Sequence, residues 1–192
     1  MEELTDEDIC IKVQQGDAQI FGSLVDRYEQ KLKRYARRFL LDALDGEDIV
    51  QNVFIKAYVN IQSFNTSMKF SSWIYRIAHN EFINAIRKRG TDNLSFFDPD
   101  TLFPHPVAKE NPVKDLQDKE TKELLDSYLN QLDSKYREPL ILYYYEDMDY
   151  QGISEILHIP VSTVGVRLSR GKQALQAIYL QQPHDESRST IY

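Results

Sequence analysis

Four of the chain's seven prolines, Pro99, Pro104, Pro106 and Pro112, fall within residues 91–112, a stretch that also carries several acids and has no amphipathic period. Proline fixes φ and lacks a backbone donor, so such a run suits neither a helix interior nor a central strand and reads as an extended tether. Whatever folds must therefore fold on either side of it. The chain of 192 residues divides into blocks of roughly 70 to 90 residues, a size at which small helical domains can bury a workable core. The expected boundaries are a first domain over 1–90, a linker over 91–112, a second domain over 113–180 and a polar, disordered tail over 181–192.

Both blocks carry the helical period. Thr5 and Asp6 offer an N-cap, and Gly16 with Asp17 marks a break and restart. Phe21, Leu24, Val25, Tyr28, Leu32 and Tyr35 then recur at helical spacing up to about residue 40. A helix over 46–61 places Val50, Val53, Phe54, Ala57 and Ile61 on one stripe. Residues 63–69 are turn-rich, and a further helix runs from Phe70 to Arg89, with Ile74, Ile77, Ala78, Phe82 and Ala85 as its core band and Gly90 as a C-terminal cap. After the tether, helical patterning covers 113–132, 134–146, 150–157 and 161–180. Seven glycines leave little room for a turn-rich all-β fold. The expected class is all-α: two helical domains joined by a flexible linker.

A net charge of −7 argues against a nucleic-acid partner only if the charges are evenly spread. They are not. Acids crowd the first eight positions, 92–100 and 115–155. Lys31, Lys33, Arg34, Arg37 and Arg38 form a run without an acid, and 69–89 and 156–184 are locally basic. The run at 31–38 either follows a phosphate backbone or is a solvated face.

Several classes of function are excluded. No apolar run reaches the roughly 20 residues of a membrane span, and the acidic start is the opposite of a signal peptide, so no membrane insertion and a cytoplasmic location are expected. Cys10 is the chain's one cysteine, which rules out an internal disulfide and a zinc knuckle. There is no Gly-rich phosphate loop and no nucleophile–base pair, and His79, His105, His158 and His184 lie in different segments. No catalysis, cofactor or metal is expected.

The most specific local pattern runs from Tyr150 to Arg170, a short helix, a tight turn and a longer helix. Ile153, Ile156 and Leu157 supply one packing face, and Val164, Leu168, Leu175 and Ile178 the other. At about 100° per residue, Ser162, Val166, Ser169 and Arg170 fall opposite that stripe, with Thr163 and Arg167 on its flanks. Hydroxyls, guanidinium groups and methyls without an acid suit the major groove. The alternative is a helical hairpin that merely packs. His158 stands at the turn, where such motifs usually carry glycine.

These residues resemble a family. Tyr136 to Leu140 together with Ser162 to Arg170 is similar to region 4 of the extracytoplasmic-function (ECF) RNA polymerase sigma factors. Asp48 to Tyr58 is similar to their region 2.2, and Phe70 to Asn80 to regions 2.3 and 2.4. Two matches in the right order around a short linker carry the resemblance, which covers nearly everything except the linker and the tail. It implies a sigma factor that binds core RNA polymerase, through the β′ clamp and the β subunit, and directs initiation at promoter DNA. An anti-sigma factor is a further implied partner.

The resemblance also implies roles. Asp48, Gln51, Asn52 and Ile55 would dock on the β′ clamp; from the residues alone, the outer face of helix 46–61 is either a partner surface or a second core face. Phe64, Asn65, Thr66, Ser67 and Lys69 would capture a base flipped from the minus-10 element. Trp73, Arg76, Asn80, Asn84 and Arg87 cluster on one side of helix 70–89 as a strand-binding stripe, although Trp73 serves equally well as a core residue. Ser162, Thr163, Val166, Arg167, Ser169, Arg170 and Lys172 would read the minus-35 element. The competing reading is a helix-turn-helix regulator that acts without being a polymerase subunit.

Overall fold

The computed structural model of the chain describes residues 4–40, 46–88 and 119–181. Among the described residues there are eight α-helices and no strand: α1 (Asp6–Gln14), α2 (Phe21–Leu40), α3 (Gly46–Asn60), α4 (Phe70–Lys88), α5 (Lys119–Leu129), α6 (Ser134–Tyr144), α7 (Tyr150–Leu157) and α8 (Val161–Gln181). The all-α expectation holds for them. The 91–112 linker, residues 113–118 of the expected 113–132 helix and residues 182–192 of the tail lie outside the described residues.

Local chemistry sets the helix ends. Thr5 Oγ1 accepts from the Asp8 N–H at 3.1 Å, and Asp8 Oδ2 accepts from the Thr5 N–H at 3.1 Å, a reciprocal cap that starts α1. Gly16, at φ 108, makes the break that the sequence marks. A 3-10 turn at Ala18–Ile20 then leads into α2. Helix α2 is the axis of the N-terminal half; its buried face includes Leu24, Tyr28, Leu32, Tyr35 and Phe39 and is packed by α1, α3 and α4. Helix α4 answers with Phe70, Ile74, Tyr75, Ala78 and Phe82, so that the Tyr35 ring sits 5.3 Å from Tyr75 and 5.2 Å from Phe82.

In the C-terminal half α8 crosses α6 at Gly171. A Cβ there would lie 2.9 Å from Leu140 Cδ1 and 3.2 Å from the Tyr136 carbonyl oxygen, so the two helices approach this closely only over glycine. Asp149 caps α7 by accepting from the Gly152 N–H at 2.7 Å. The turn into α8 passes through His158 at φ 54, ψ 43, the left-handed conformation usually left to glycine. Its N–H donates to the Ser154 carbonyl, and Ser154 Oγ donates to the Ile159 carbonyl at 2.6 Å. The turn thus takes its helix-turn-helix shape without the usual glycine.

The two halves pack on each other, α7 against α4 and α6 against α2. Polar contacts run through this joint. Tyr35 Oη donates to Glu138 Oε1 at 2.5 Å, and His79 Nδ1 lies 2.6 Å from the same oxygen. Tyr75 Oη donates to Glu146. Arg38 Nε donates to Asp126 Oδ1 at 3.0 Å, with its guanidinium 3.9 Å from the Tyr145 ring centroid. One contiguous apolar core includes residues from both sides.

Candidate nucleic-acid interface

Helix α3 has one buried and one free side. Val50, Val53, Phe54 and Ala57 are buried, whereas Asp48, Gln51, Asn52 and Ile55 are all exposed. Ile55 is 60% exposed and Val59 70%. Two β-branched apolar side chains in water beside amides and a carboxylate have the composition of a docking face, and a second core face is not what the structure builds. Tyr58, 44% exposed, extends the face while its ring stacks edge-on against Phe21 at 5.2 Å.

The loop after α3 is pinned from behind by α1. Gln14 Nε2 donates to the carbonyls of Ile61 at 2.8 Å and Phe64 at 2.9 Å, and Glu7 Oε1 accepts from the Phe70 N–H at 2.8 Å at the start of α4. Within the loop, Asn65 Oδ1 accepts from the Ser67 N–H and Oγ at 3.1 and 2.8 Å. Asn65, Ser67 and Lys69 are exposed and Thr66 is half-buried, whereas Phe64, which the sequence reading put among the base-capturing residues, is buried. It is 5% exposed, with its ring 4.9 Å from Trp73 and 5.8 Å from Phe70. An aromatic in a non-periodic loop reads alike whether it stacks on a base or anchors the loop; here it anchors. Trp73 is half-buried, one part packed on Phe64 and Phe70 as a core residue would be and the rest facing outward.

Two concavities meet at Trp73 and Arg76. An open groove of ≈ 420 Å³ between α3 and α4 is lined by residues that include Lys56, Asn60, Trp73, Arg76, Asn80 and Glu81, with Lys56 Nζ 2.6 Å from Glu81 Oε1. A smaller hollow of ≈ 150 Å³ lies under the loop, bounded by Phe64, Asn65, Met68, Ser72, Trp73 and Arg76 among others. Three of the five expected stripe residues thus share one groove. Asn84 and Arg87 are exposed farther along α4 and do not line it. The sequence reading missed Gln14, Glu7 and Lys56, which reach the site through long-range contacts that no local pattern announces, and Met68 and Ser72, which line the hollow from the loop and from the first turn of α4.

Helix α8 departs from its projection. Ser169 and Arg170 are exposed, and Ser162, Arg167 and Lys172 are half-buried, but Thr163 and Val166 are buried at 1% and 6% exposure. A single-stripe projection treats a helix as packed on one side; α8 is packed by α6, α7 and α5. Of the seven residues expected on the reading face, Ser162, Arg167, Ser169, Arg170 and Lys172 remain at least partly accessible. Among the described residues no cluster of His, Cys, Asp or Glu is arranged to hold a metal, and no helix is long and apolar enough to cross a membrane.

The family profile of Sigma-70 region 2 matches residues 24–91, and that of Sigma-70 region 4 matches residues 122–175. The chain is 36% identical over 176 residues to the ECF RNA polymerase sigma factor SigW of Bacillus subtilis, covering 86% of this chain and 91% of that one. The chain belongs to the ECF sigma factor family. Solved structures agree in fold. CnrH in complex with the cytosolic domain of CnrY superposes with a TM-score of 0.68 at 23% identity, covering 91% of this chain and 96% of that one. The sigma factor RpoE in complex with the anti-sigma factor NepR, from Bartonella quintana, gives 0.63 at 27% identity, covering 84% and 98%. The role is therefore that of a sigma factor in transcription initiation, and a regulator acting apart from polymerase is not favoured. In this sigma factor the α3 face and the hollow under the 64–69 loop belong to region 2, and the helix-turn-helix to region 4.

Proposed function

We propose that this sigma factor divides promoter recognition among three surfaces. The outer face of α3, with Asp48, Gln51, Asn52 and Ile55, docks on the β′ clamp of core polymerase. The 64–69 loop and α4 bind the melted minus-10 strand: Asn65 borders a base-sized hollow whose wall includes Phe64, and Thr66, Ser67 and Lys69 stand in the same loop beside it. Trp73, Arg76 and Asn80 line the groove along which the strand continues, with Asn84 and Arg87 beyond it. Ser162, Arg167, Ser169, Arg170 and Lys172 of α8 meet the minus-35 element, where Arg donors reach base edges or phosphates. Thr163 and Val166 support that helix from within.

The observation that carries this reading is the hollow of ≈ 150 Å³ beside a basic, aromatic-edged groove. Capturing an unstacked base costs a few kcal/mol, so promoter opening is driven by binding energy and needs no catalysis by this chain. The domains are taken as 1–90 and 113–180, joined by 91–112 and followed by the 181–192 tail. The protein works in the cytoplasm beside its polymerase. The RpoE–NepR complex supports an anti-sigma factor as a further partner.

Run-off transcription with purified core polymerase and a promoter library tests the reading. Initiation that depends on this chain is expected. Tight promoter binding by the chain alone, with no initiation by core enzyme, overturns it.

A further inference from the structure

Around the hollow under the 64–69 loop, the hydrogen-bond acceptors of region 2 are engaged and the donors are left over. Asn65 Oδ1 accepts from the Ser67 N–H and from Ser67 Oγ, at 3.1 and 2.8 Å, which fills its lone pairs and leaves the Nδ2 amine as what this side chain offers a ligand. The Phe64 carbonyl accepts from Gln14 Nε2 at 2.9 Å, and the Asn65 carbonyl from the Met68 N–H at 2.9 Å. Ser63 Oγ is turned away, donating to the Asn60 carbonyl at 2.8 Å. Arg76, half-buried between the hollow and the groove, carries donors only, and its guanidinium has no ion pair or hydrogen bond among the described residues. Ser72 is 5% exposed and lines the hollow with a hydroxyl that likewise has no partner among them.

A base taken out of its stack is read by hydrogen bonds to its edge and by apolar contact with its ring. The four bases divide at one position, where thymine and guanine carry a carbonyl oxygen and cytosine and adenine carry an amine. An amine turned toward Asn65 Nδ2 and Arg76 sets donors against donors, whereas a carbonyl oxygen is matched. The Ser72 hydroxyl can accept, and so suits the ring N–H that accompanies that carbonyl. Between the two carbonyl bases the wall decides. Guanine brings a further amine, for which no second free acceptor stands ready in region 2. Thymine brings a methyl group, which the Met68 side chain, 40% exposed at the hollow, and the packed rings of Phe64 and Trp73 can cover.

We propose that the hollow selects thymine: Asn65 Nδ2 and Arg76 donate to its carbonyl oxygens, Ser72 Oγ accepts from its ring N–H, and Met68 meets its methyl. This rests on the assignment of the 64–69 loop and α4 to the minus-10 strand, and adds which base that strand must present. Glu155, the lining residue that comes from α7, accepts from Gln151 Nε2 at 3.0 Å and takes no part in the selection.

The test uses the full chain on core polymerase and a promoter recovered from the run-off library, with its minus-10 region held open as a mismatched bubble and the non-template bases there randomised. Sequencing the bound fraction reads the base preference at each position, and a ratio between bases is insensitive to any general loss of affinity. One position is expected to favour thymine over cytosine and adenine by about fivefold or more, with guanine between. Asn65→Asp keeps the oxygen that Ser67 needs and replaces the amine by a second acceptor, so the preference at that position is expected to turn from thymine to cytosine. Ser72→Ala is expected to lower the thymine preference there by about twofold or more, and Glu155→Gln to leave it unchanged. A base other than thymine preferred at the position that responds to Asn65→Asp, a response to Ser72→Ala without one to Asn65→Asp, or a preference that Glu155→Gln abolishes overturns thymine selection and leaves the loop on the strand. If no minus-10 position responds to either Asn65→Asp or Ser72→Ala while run-off transcription proceeds, the assignment of the loop to the strand falls and takes the selection with it.

Discussion

Helices α3 and α8 carry the same kind of pattern, one apolar stripe with mixed residues opposite, yet they end in different surroundings. Helix α3 behaves as its projection requires: Asp48, Gln51, Asn52 and Ile55 all point into solvent. Helix α8 does not, since Val166, opposite the expected core face, and Thr163, on its flank, are both buried. The difference lies in the neighbours. Helix α3 is flanked by α2 and α4 on one side, whereas α8 is contacted by α5, α6 and α7. Amphipathic projection reports which side of a helix is apolar and says nothing about how many partners will cover it.

The sharpest way to break this contrast is to put a charge at the matching position on each helix. Val166→Asp should leave a carboxylate without a partner in a site 6% exposed, and a loss of about 3 kcal/mol or more is expected. Thermal or urea unfolding of the full chain measures it. A loss below about 0.5 kcal/mol would return Val166 to the free face on which the sequence alone puts it.

Ile55→Asp reverses the expectation. At 60% exposure the side chain contributes little to the fold, so stability should change by no more than about 0.5 kcal/mol. Its place on a docking face predicts a loss of about 2 kcal/mol in affinity for core polymerase, or roughly thirtyfold. Competition against the unsubstituted chain for core enzyme measures this directly. Unchanged affinity would leave the exposed Ile55 and Val59 without a role and would make α3 an ordinary surface helix.

Much of the molecule was legible before the structure. The cap at Thr5, the break at Gly16, the stripe of α3, the core band of α4 and the turn at His158 follow from local rules that act within a few residues. The turn-rich 63–69 loop was legible in outline but the burial of Phe64 was not, because whether Phe64 anchors the loop depends on Phe70 and Trp73 closing behind it. Gln14 and Glu7 were missed as supports because their partners lie some 50 and 63 positions away. His79 looked like one of four scattered histidines. Its meaning comes from Glu138, on a helix beyond the linker. Periodicity fixes which residues face inward but carries no information about which helix they face.

His79 gives the smallest effect and the finest test of the joint between the halves. Its ring sits with Nδ1 2.6 Å from Glu138 Oε1, and both side chains are mostly buried, at 15% and 9% exposure. The groups facing it are Glu138 from α6, Tyr35 from α2 donating to the same oxygen, and the Phe39 ring edge-on at 5.9 Å. Burial opposes the charged imidazolium, but the Glu138 charge and hydrogen bond outweigh it, and the His79 pKa is raised. Burial and the Glu138 charge keep the Tyr35 phenol protonated well above its usual range, so it does not titrate with the histidine. A raised value in the folded state means that the protonated form stabilises the fold. The contribution is complete below the ordinary histidine value of about 6.5 and is lost as the pH climbs through the raised one. The Tm difference between the unsubstituted chain and His79→Gln should therefore be largest near pH 6 and shrink toward pH 9. For a chain of this length each kcal/mol corresponds to about 2 to 4 °C, which sets the scale of the shift. A difference that grows with pH would mean that the neutral ring is the one the joint prefers, and Glu138 would then be held by Tyr35 without an ionic partner in His79.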